Sequence, residues 1–376
     1  MSQIFITNLV INKVRHLKDI SIPLADNQIR HLILTGKNGS GKTSIVEALA
    51  GYLNSMLTGG FGQDKRGLDI RFNTNVEDIS SLGAEKPYIS AYYSADRIFR
   101  AEQPRHVEKV QLRDEYELTE FPRYEFVKYL LDLKMTEALA RNSRKIEKAD
   151  EIKRWFEHLD NLLQDIFADR TIHLEFDEET FEFHMIQQGK EPFDFNTLSS
   201  GYQAVLDIVV DIMMRMQKRT GRSFHFNLPG IVLVDEIETH LHLELQKNIM
   251  PLLTSIFPNI QFIVTTHSPF ILNSLKDVVI YDLENHLLVE GGLEDVPYDG
   301  IVEGYFGADK LSYTLKDKFE QYKNLVRKES LSDDEICEIA ELEMYLDEIP
   351  DYLAIGVAAE YRRLKLDFMN REDIDG

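Results

Sequence analysis

One stretch restricts the fold more than any other: Gly36-Lys37-Asn38-Gly39-Ser40-Gly41-Lys42-Thr43. It fits G-x-x-x-x-G-K-[ST] and stands between HLILT, which reads as a strand, and KTSIVEALAGYL, a strong helix pattern. Glycines at these positions let successive backbone N–H groups curl round an anion at a helix N-terminus, where the peptide dipoles already point their positive end. Gly36, Gly39 and Gly41 supply the curl, with Asn38, Ser40 and Ser44 as further cradle positions. Lys42 is spaced to reach β- and γ-phosphates, and the Thr43 hydroxyl is a Mg²⁺ ligand in such loops. Taken alone, the letters also fit a Gly-rich strand–helix turn.

Three further segments bear on the same chemistry. Ile231-Val232-Leu233-Val234-Asp235-Glu236 reads as a buried strand whose carboxylates emerge at the sheet edge. Asp235 is placed to hold Mg²⁺, and Glu236 to act as general base on water. An acidic surface turn is the other reading. Leu198-Ser199-Ser200-Gly201 precedes a long apolar helix, so Ser199 or Ser200 can cap it and Gly201 lets a phosphate approach the backbone. By itself it is a helix start. Phe262-Ile263-Val264-Thr265-Thr266-His267 sets a histidine just past another buried strand, suited to sensing a γ-phosphate or to a structural role.

Around these motifs, strands alternate with helices, which argues for an α/β sheet. Ile4–Ile11, Ser21–Leu24 and Tyr88–Arg97 read as further strands, and the Gly-rich, mixed stretch 59–90 is otherwise given no element. Between Tyr124 and Phe167 the pattern is a helical hairpin, with Trp155, Leu159, Leu162 and Ile166 on one face. Ile172–Phe176 and Phe181–Ile186 flank a β-turn. Four units follow: 1–120, an N-terminal lobe with the phosphate loop; 121–195, helical insertion and hairpin; 196–300, the rest of the head; 301–376, a helical tail. In that tail Ser332 and Glu335 form a capping box before an apolar stripe of Ile336, Ile339, Leu342, Leu346 and Ile349. Pro350 ends the helix, and Asp351 can cap another.

Lys plus Arg number 42 and Asp plus Glu 64, a net charge of −22, so any nucleic-acid contact needs a local patch. The candidates are Arg97, Arg100, Arg105, Lys109 and Arg113, extended by Arg141, Arg144, Lys145 and Lys148. A single cysteine, Cys337, allows no intrachain disulfide and favours a reducing compartment. The uncharged stretch Asn248–Leu275 is interrupted by Pro251, Pro258 and Pro269 and reads as helix, turn and buried strand. No membrane span or leader is expected, and a cytoplasmic location follows.

Phosphate loop, LSSG, apolar strand ending in Asp-Glu, and strand-end histidine occur in the order found in ABC-type ATPases, and residues 3–285 resemble that family. GIVLVDEIETHLH and IFPNIQFIVTTHSPFIL look most similar to its RecF, SMC and OLD-like branch. The implied fold is an ABC-type P-loop head: a mixed sheet with flanking helices, a short helical lobe insertion and an acidic helical tail. The implied cofactors are ATP and Mg²⁺, sandwiched in a homodimer or higher oligomer. Lys42, Thr43, Asp235, Glu236 and His267 would act from one protomer, and Ser199–Gly201 from the other. His240 falls at a dimer-contact loop, and His240 and His242 are two apart, unlike a helical zinc pair. Tyr92–Arg97 lacks the glutamine that transporter-type members carry, no adenine-stacking aromatic is evident, and Leu243 replaces a common proline.

OLD-type nucleases add a Toprim domain. Val289-Glu290-Gly291 resembles its start, but the only Asp-x-Asp is Asp373-Ile374-Asp375, so no internal nuclease is expected. The compact form resembles ATPases of Septu-like anti-phage systems, which work with a separately encoded HNH-type nuclease. That resemblance implies a sensor or regulatory ATPase subunit. A RecF-like DNA clamp and an ATP-gated scaffold with negligible turnover are the alternatives.

Overall fold

The computed structural model describes residues 3–57, 67–74, 88–297, 300–301, 313–328, 330–348 and 355–370. The chain divides into two compact units, Met1–Val296 and Pro297–Gly376.

In the first unit, β3 (His31–Thr35), β5 (Ile89–Tyr93), β8 (Gly230–Val234), β9 (Ile260–Thr265), β10 (Val278–Asp282) and β11 (Leu287–Glu290) form one sheet, ordered β11-β10-β3-β9-β8-β5. All pairs are parallel except β10–β11. Strands β8, β9 and β10 are buried at every residue, which is why they read as continuous apolar runs. The register aligns Thr35 with Asp282, Leu34 with Thr265, and Val234 with both Val264 and Tyr93. The carboxyl ends of five strands therefore share one edge of the sheet, where ligands bind in open α/β folds.

A second sheet, β2-β1-β4, is antiparallel and built from β1 (Ile6–Val14), β2 (Leu17–Pro23) and β4 (Leu68–Phe72). Strand β2 starts four residues earlier than its apolar letters suggest, because Val14 pairs with Leu17 across a two-residue turn. Strand β4 lies within the Gly-rich, mixed stretch 59–90, where the sequence carries no clear strand pattern. Between the sheets, α1 (Lys42–Leu57) packs Ile45, Val46, Leu49 and Leu53 into a core shared with Leu9, Ile11, Leu34, Leu233 and Ile263. Buried Gln261 joins the two layers: its amide oxygen accepts from Ile6 N–H at 2.7 Å, and its nitrogen donates to the Ile6 carbonyl at 3.0 Å.

The helical insertion holds α2 (Phe126–Asn142) and α3 (Ile146–Phe167), followed by the hairpin β6 (His173–Asp177) and β7 (Glu182–Ile186). Trp155, Leu159, Leu162 and Ile166 are buried, as their spacing predicts. Helix α4 (Ser200–Gln217) is buried from Ala204 onward, yet carries Asp207, Asp211 and Arg215 inside. Arg123 pairs with both aspartates, Arg215 binds Asp211 at 2.7 Å, and Tyr93 donates to Asp211 at 2.8 Å. Pro251 sits within α5 (Leu243–Ile256) instead of ending it. After α6 (Pro269–Leu272), β10 and β11 extend the sheet beyond the last strand read from sequence. No helix among the described residues is long and apolar enough to cross a membrane.

The second unit contains α7 (Tyr313–Val326), α8 (Asp333–Asp347) and α9 (Ile355–Met369) around Phe319, Tyr322, Ile339, Leu342, Leu346 and Tyr361. The Ser332–Glu335 capping box is formed. Ile336 is 43% exposed and leaves the apolar stripe at the first turn. Ile349, Pro350, Asp351 and the Asp373–Asp375 pair lie outside the described residues.

Candidate functional site

The phosphate loop starts where β3 delivers Thr35 to the sheet edge. Gly36, Gly39 and Gly41 have φ of +129°, +83° and +100°, conformations that side-chain-bearing residues rarely adopt. A Cβ at Gly41 would meet Leu17 Cδ1 at 2.7 Å, the far end of a side chain that can shift, so it is the positive φ that requires glycine there. Lys42 folds back and donates from Nζ to the carbonyls of Gly36 at 2.7 Å and Lys37 at 3.2 Å. Burial lowers its pKa, opposed by the charges of Glu236, Glu238, Asp235 and Asp282. Ser40 Oγ is buried without a hydrogen-bond partner among the described residues. An ammonium satisfied only by carbonyls and an orphaned hydroxyl fit an anion drawn into the loop. Thr43 and Asn38 are exposed, and Ser44 is buried. Glu284, in the turn after β10, grips the exposed end of Lys37 at 2.7 Å and raises its pKa through that hydrogen bond.

Beside this loop, β8 ends in Asp235 and Glu236. Thr265, in register at the end of β9, donates from Oγ1 to Asp235 Oδ1 at 2.6 Å and accepts from Glu236 N–H at 2.7 Å. One hydroxyl thus fixes both acidic positions. Glu236 itself adopts φ +44°, and Thr239 Oγ1 donates to its carboxylate at 3.4 Å. Glu238 accepts from the backbone N–H of His267, while its Oε2 is buried with no partner among the described residues. Burial first, and then the Lys42 charge, lower the His267 pKa, so the imidazole is neutral at pH 7. The fold therefore gathers Lys42, Asp235, Glu236 and His267 at one edge, and adds Glu238, Thr265 and Glu284. Glu238 is visible in the sequence as the second acid of DEIE. The other two have no local signal.

Arg97 departs from its sequence reading as part of a surface patch. It is 3% exposed, and its guanidinium donates to the carbonyls of Asp235 at 2.8 Å, Glu236 at 3.0 Å and Ile237 at 2.7 Å. These three carbonyls lie far along the chain, which a charge pattern does not register.

Ser199, Ser200 and Gly201 open α4. Ser199 is the N-cap residue, without a side-chain capping bond, and both serine side chains are exposed. Gly201 is buried, and a Cβ there would meet the His240 carbonyl at 3.1 Å, so this helix start packs on the turn after the acidic pair. No hydrogen bond or ion pair connects 199–201 to the phosphate loop among the described residues. His240 is exposed at φ +68°, and His242 caps α5, accepting from Leu245 N–H at 3.5 Å. The ring of Tyr202 stacks on Phe167 at 4.1 Å, coupling the helical insertion to α4.

Residues 32–273, well over half the chain, match the AAA_21 family, described as "AAA domain, putative AbiEii toxin, Type IV TA system". The chain belongs to this AAA-type ATPase family. It is 26% identical to the Septu protein PtuA of Bacillus mycoides (strain KBAB4), covering 94% of this chain and 52% of PtuA. It is 34% identical to the Retron Ec83 probable ATPase of Escherichia coli, over 37% of this chain and 26% of that protein. The chain thus spans about half, or less, of the length of these curated relatives. A solved SMC head bound to the C-winged helix domain of ScpA matches with a TM-score of 0.41 and 17% identity, covering 78% of this chain and 99% of that one. Within the AAA-type family, the sheet edge described above is the candidate ATP site.

Proposed function

We propose that this AAA-type ATPase chain binds and hydrolyses ATP as the sensor or regulatory subunit of a bacterial anti-phage defence complex, acting with a separately encoded nuclease such as an HNH protein. The observation that carries the enzymatic part is the Thr265 bridge. It fixes Asp235 and Glu236 at the same sheet edge as the phosphate loop. The defence role rests on the resemblance to Septu ATPases and on the match to PtuA along 94% of the chain.

In this reading, the N–H groups of 36–44 cradle the phosphates, and Lys42 exchanges its two carbonyl acceptors for phosphate oxygens. Thr43 and Asp235 are the residues to hold Mg²⁺, which supplies neutralisation of phosphate charge when bound. Thr265 donates to Oδ1 of Asp235 and so orients the carboxylate that would serve the metal. Glu236 accepts the proton of the attacking water, and neutral His267 donates a hydrogen bond toward the γ-phosphate. Exposed Ser199 and Ser200, with Gly201 behind them at the start of α4, complete the site from a second protomer.

Phosphate release and light scattering together test this. Wild type should release phosphate and gain mass with ATP and Mg²⁺. Glu236→Gln should lower release about 100-fold or more while retaining the ATP-bound assembly. Co-expression with genomic neighbours should yield a co-eluting nuclease. A lone ATP-dependent dimer would discard the defence role, and unchanged phosphate release in Glu236→Gln would discard the hydrolytic assignment.

A further inference from the structure

We infer that Arg97 is a positioning residue for hydrolysis, holding the turn that carries Glu236 in its active conformation. The inference rests on reading the chain as an ATPase. Three consecutive carbonyls, of Asp235, Glu236 and Ile237, accept from one guanidinium, which also reaches the Ser94 carbonyl at 3.3 Å. Glu236 sits at φ +44°. A side-chain-bearing residue stays in that region only when its surroundings over-determine it, and such residues concentrate at functional sites. Here both flanks are tied: the Glu236 N–H by Thr265, the Glu236 carbonyl by Arg97.

Stability alone does not explain this arrangement. A guanidinium that is 3% exposed is costly to desolvate, and neutral donors satisfy carbonyls as well. Its Nε has no hydrogen-bond partner among the described residues. The fixed fork of a guanidinium is what spans three successive carbonyls, which a single ammonium does not. On its other side, Arg97 lines a cavity of about 280 Å³ together with Asp207 and Arg123. Asp207 belongs to α4, the helix that opens with Ser199–Gly201. The clamp therefore lies between the acidic turn and the element proposed to serve a second protomer.

Exposed Ser94, Asp96 and Arg100 also line the cavity, so a small cation can enter from solvent. Chemical rescue is the test. Arg97→Ala and Arg97→Lys should bind a fluorescent ATP analogue within about threefold of wild type, while kcat per nucleotide-binding site falls about 10- to 100-fold. Millimolar ethylguanidinium should restore part of the kcat of Arg97→Ala, and leave Glu236→Gln and wild type unchanged. A purely structural arginine predicts the reverse pattern: loss of binding sites, wild-type kcat at those remaining, and no rescue. Either wild-type kcat in both variants or a failure of rescue overturns the assignment. If Arg97→Ala does not fold, Arg97→Lys carries the kcat criterion alone. Absence of phosphate release from wild type overturns the ATPase reading first, and this assignment with it.

Discussion

Thr265 shows how much one hydroxyl decides at this site. Fully buried, it donates to Asp235 and accepts from Glu236, using both of its hydrogen-bonding capacities. Thr265→Val keeps the shape and strands the Glu236 N–H. That should destabilise the fold by about 1–3 kcal/mol and lower kcat more than ATP affinity, whereas Thr265→Ser should retain both; urea melts and phosphate release check it. A second residue sets a pH dependence. His31 Nδ1 accepts from Phe262 N–H at 3.1 Å, and burial, partly offset by Asp277, lowers its pKa to about 4. The unfolded chain then binds the proton more tightly than the native one. Stability should be full above about pH 6.5 and fall toward pH 4, by up to about 3 kcal/mol from this group. His31→Asn keeps an acceptor without the titration, so the loss between those pH values should shrink by that amount in urea midpoints. If the two proteins lose stability in parallel, His31 is not the group responsible.

At the level of elements, legibility followed the range of the interaction. The β3–loop–α1 unit, β8 and β9 were readable because their signals are local: glycine spacing, continuous apolar runs and helical periodicity. Strand β4 and the β10–β11 pair were not, since they are short and gain their place from pairing partners distant in sequence. The same holds for side chains. Lys42, Asp235, Glu236 and His267 are visible through motifs, but Arg97 reads as surface charge because three of its four acceptors lie 138 to 140 residues away. The interior of α4 was also opaque: its pattern reads as an apolar helix, yet it buries Asp207, Asp211 and Arg215. Arg215 binds Asp211 and the carbonyls of Ser90, Glu117 and Glu120, tying α4 to β5 and to the segment before α2. Arg215→Met alone leaves Asp211 short of a counter-charge and should cost about 3–5 kcal/mol. Adding Asp211→Asn should recover part of that loss, because the charge no longer needs its partner; additive losses in urea melts would deny the coupling.

Across the whole molecule, charge decides between partners. Of the net −22, the segment from Glu329 to Gly376 contributes −11 through 15 acidic and 4 basic residues. Against that field, a DNA clamp needs a concentrated positive surface, and the sequence offered nine candidates. The structure withdraws four of them. Arg97 is buried, Lys109 pairs with Asp132, Arg113 with Glu120, and Arg141 with Glu137 and Asp150. Arg100, Arg105, Arg144, Lys145 and Lys148 are exposed and have no ion pair with another described residue. If each of those five neutralised a phosphate, log K would fall with log salt at a slope of about −4.5. Such a slope leaves little affinity at physiological salt on a chain this acidic. The isolated protein should therefore show no duplex binding at about 150 mM salt, and only a weak, steeply screened affinity at low salt that charge reversal of Arg100 and Arg105 removes. Fluorescence anisotropy with a short duplex across a salt series measures this. Tight binding that persists at physiological salt and survives those reversals would shift the reading from a partner-regulated ATPase to a clamp that holds DNA itself.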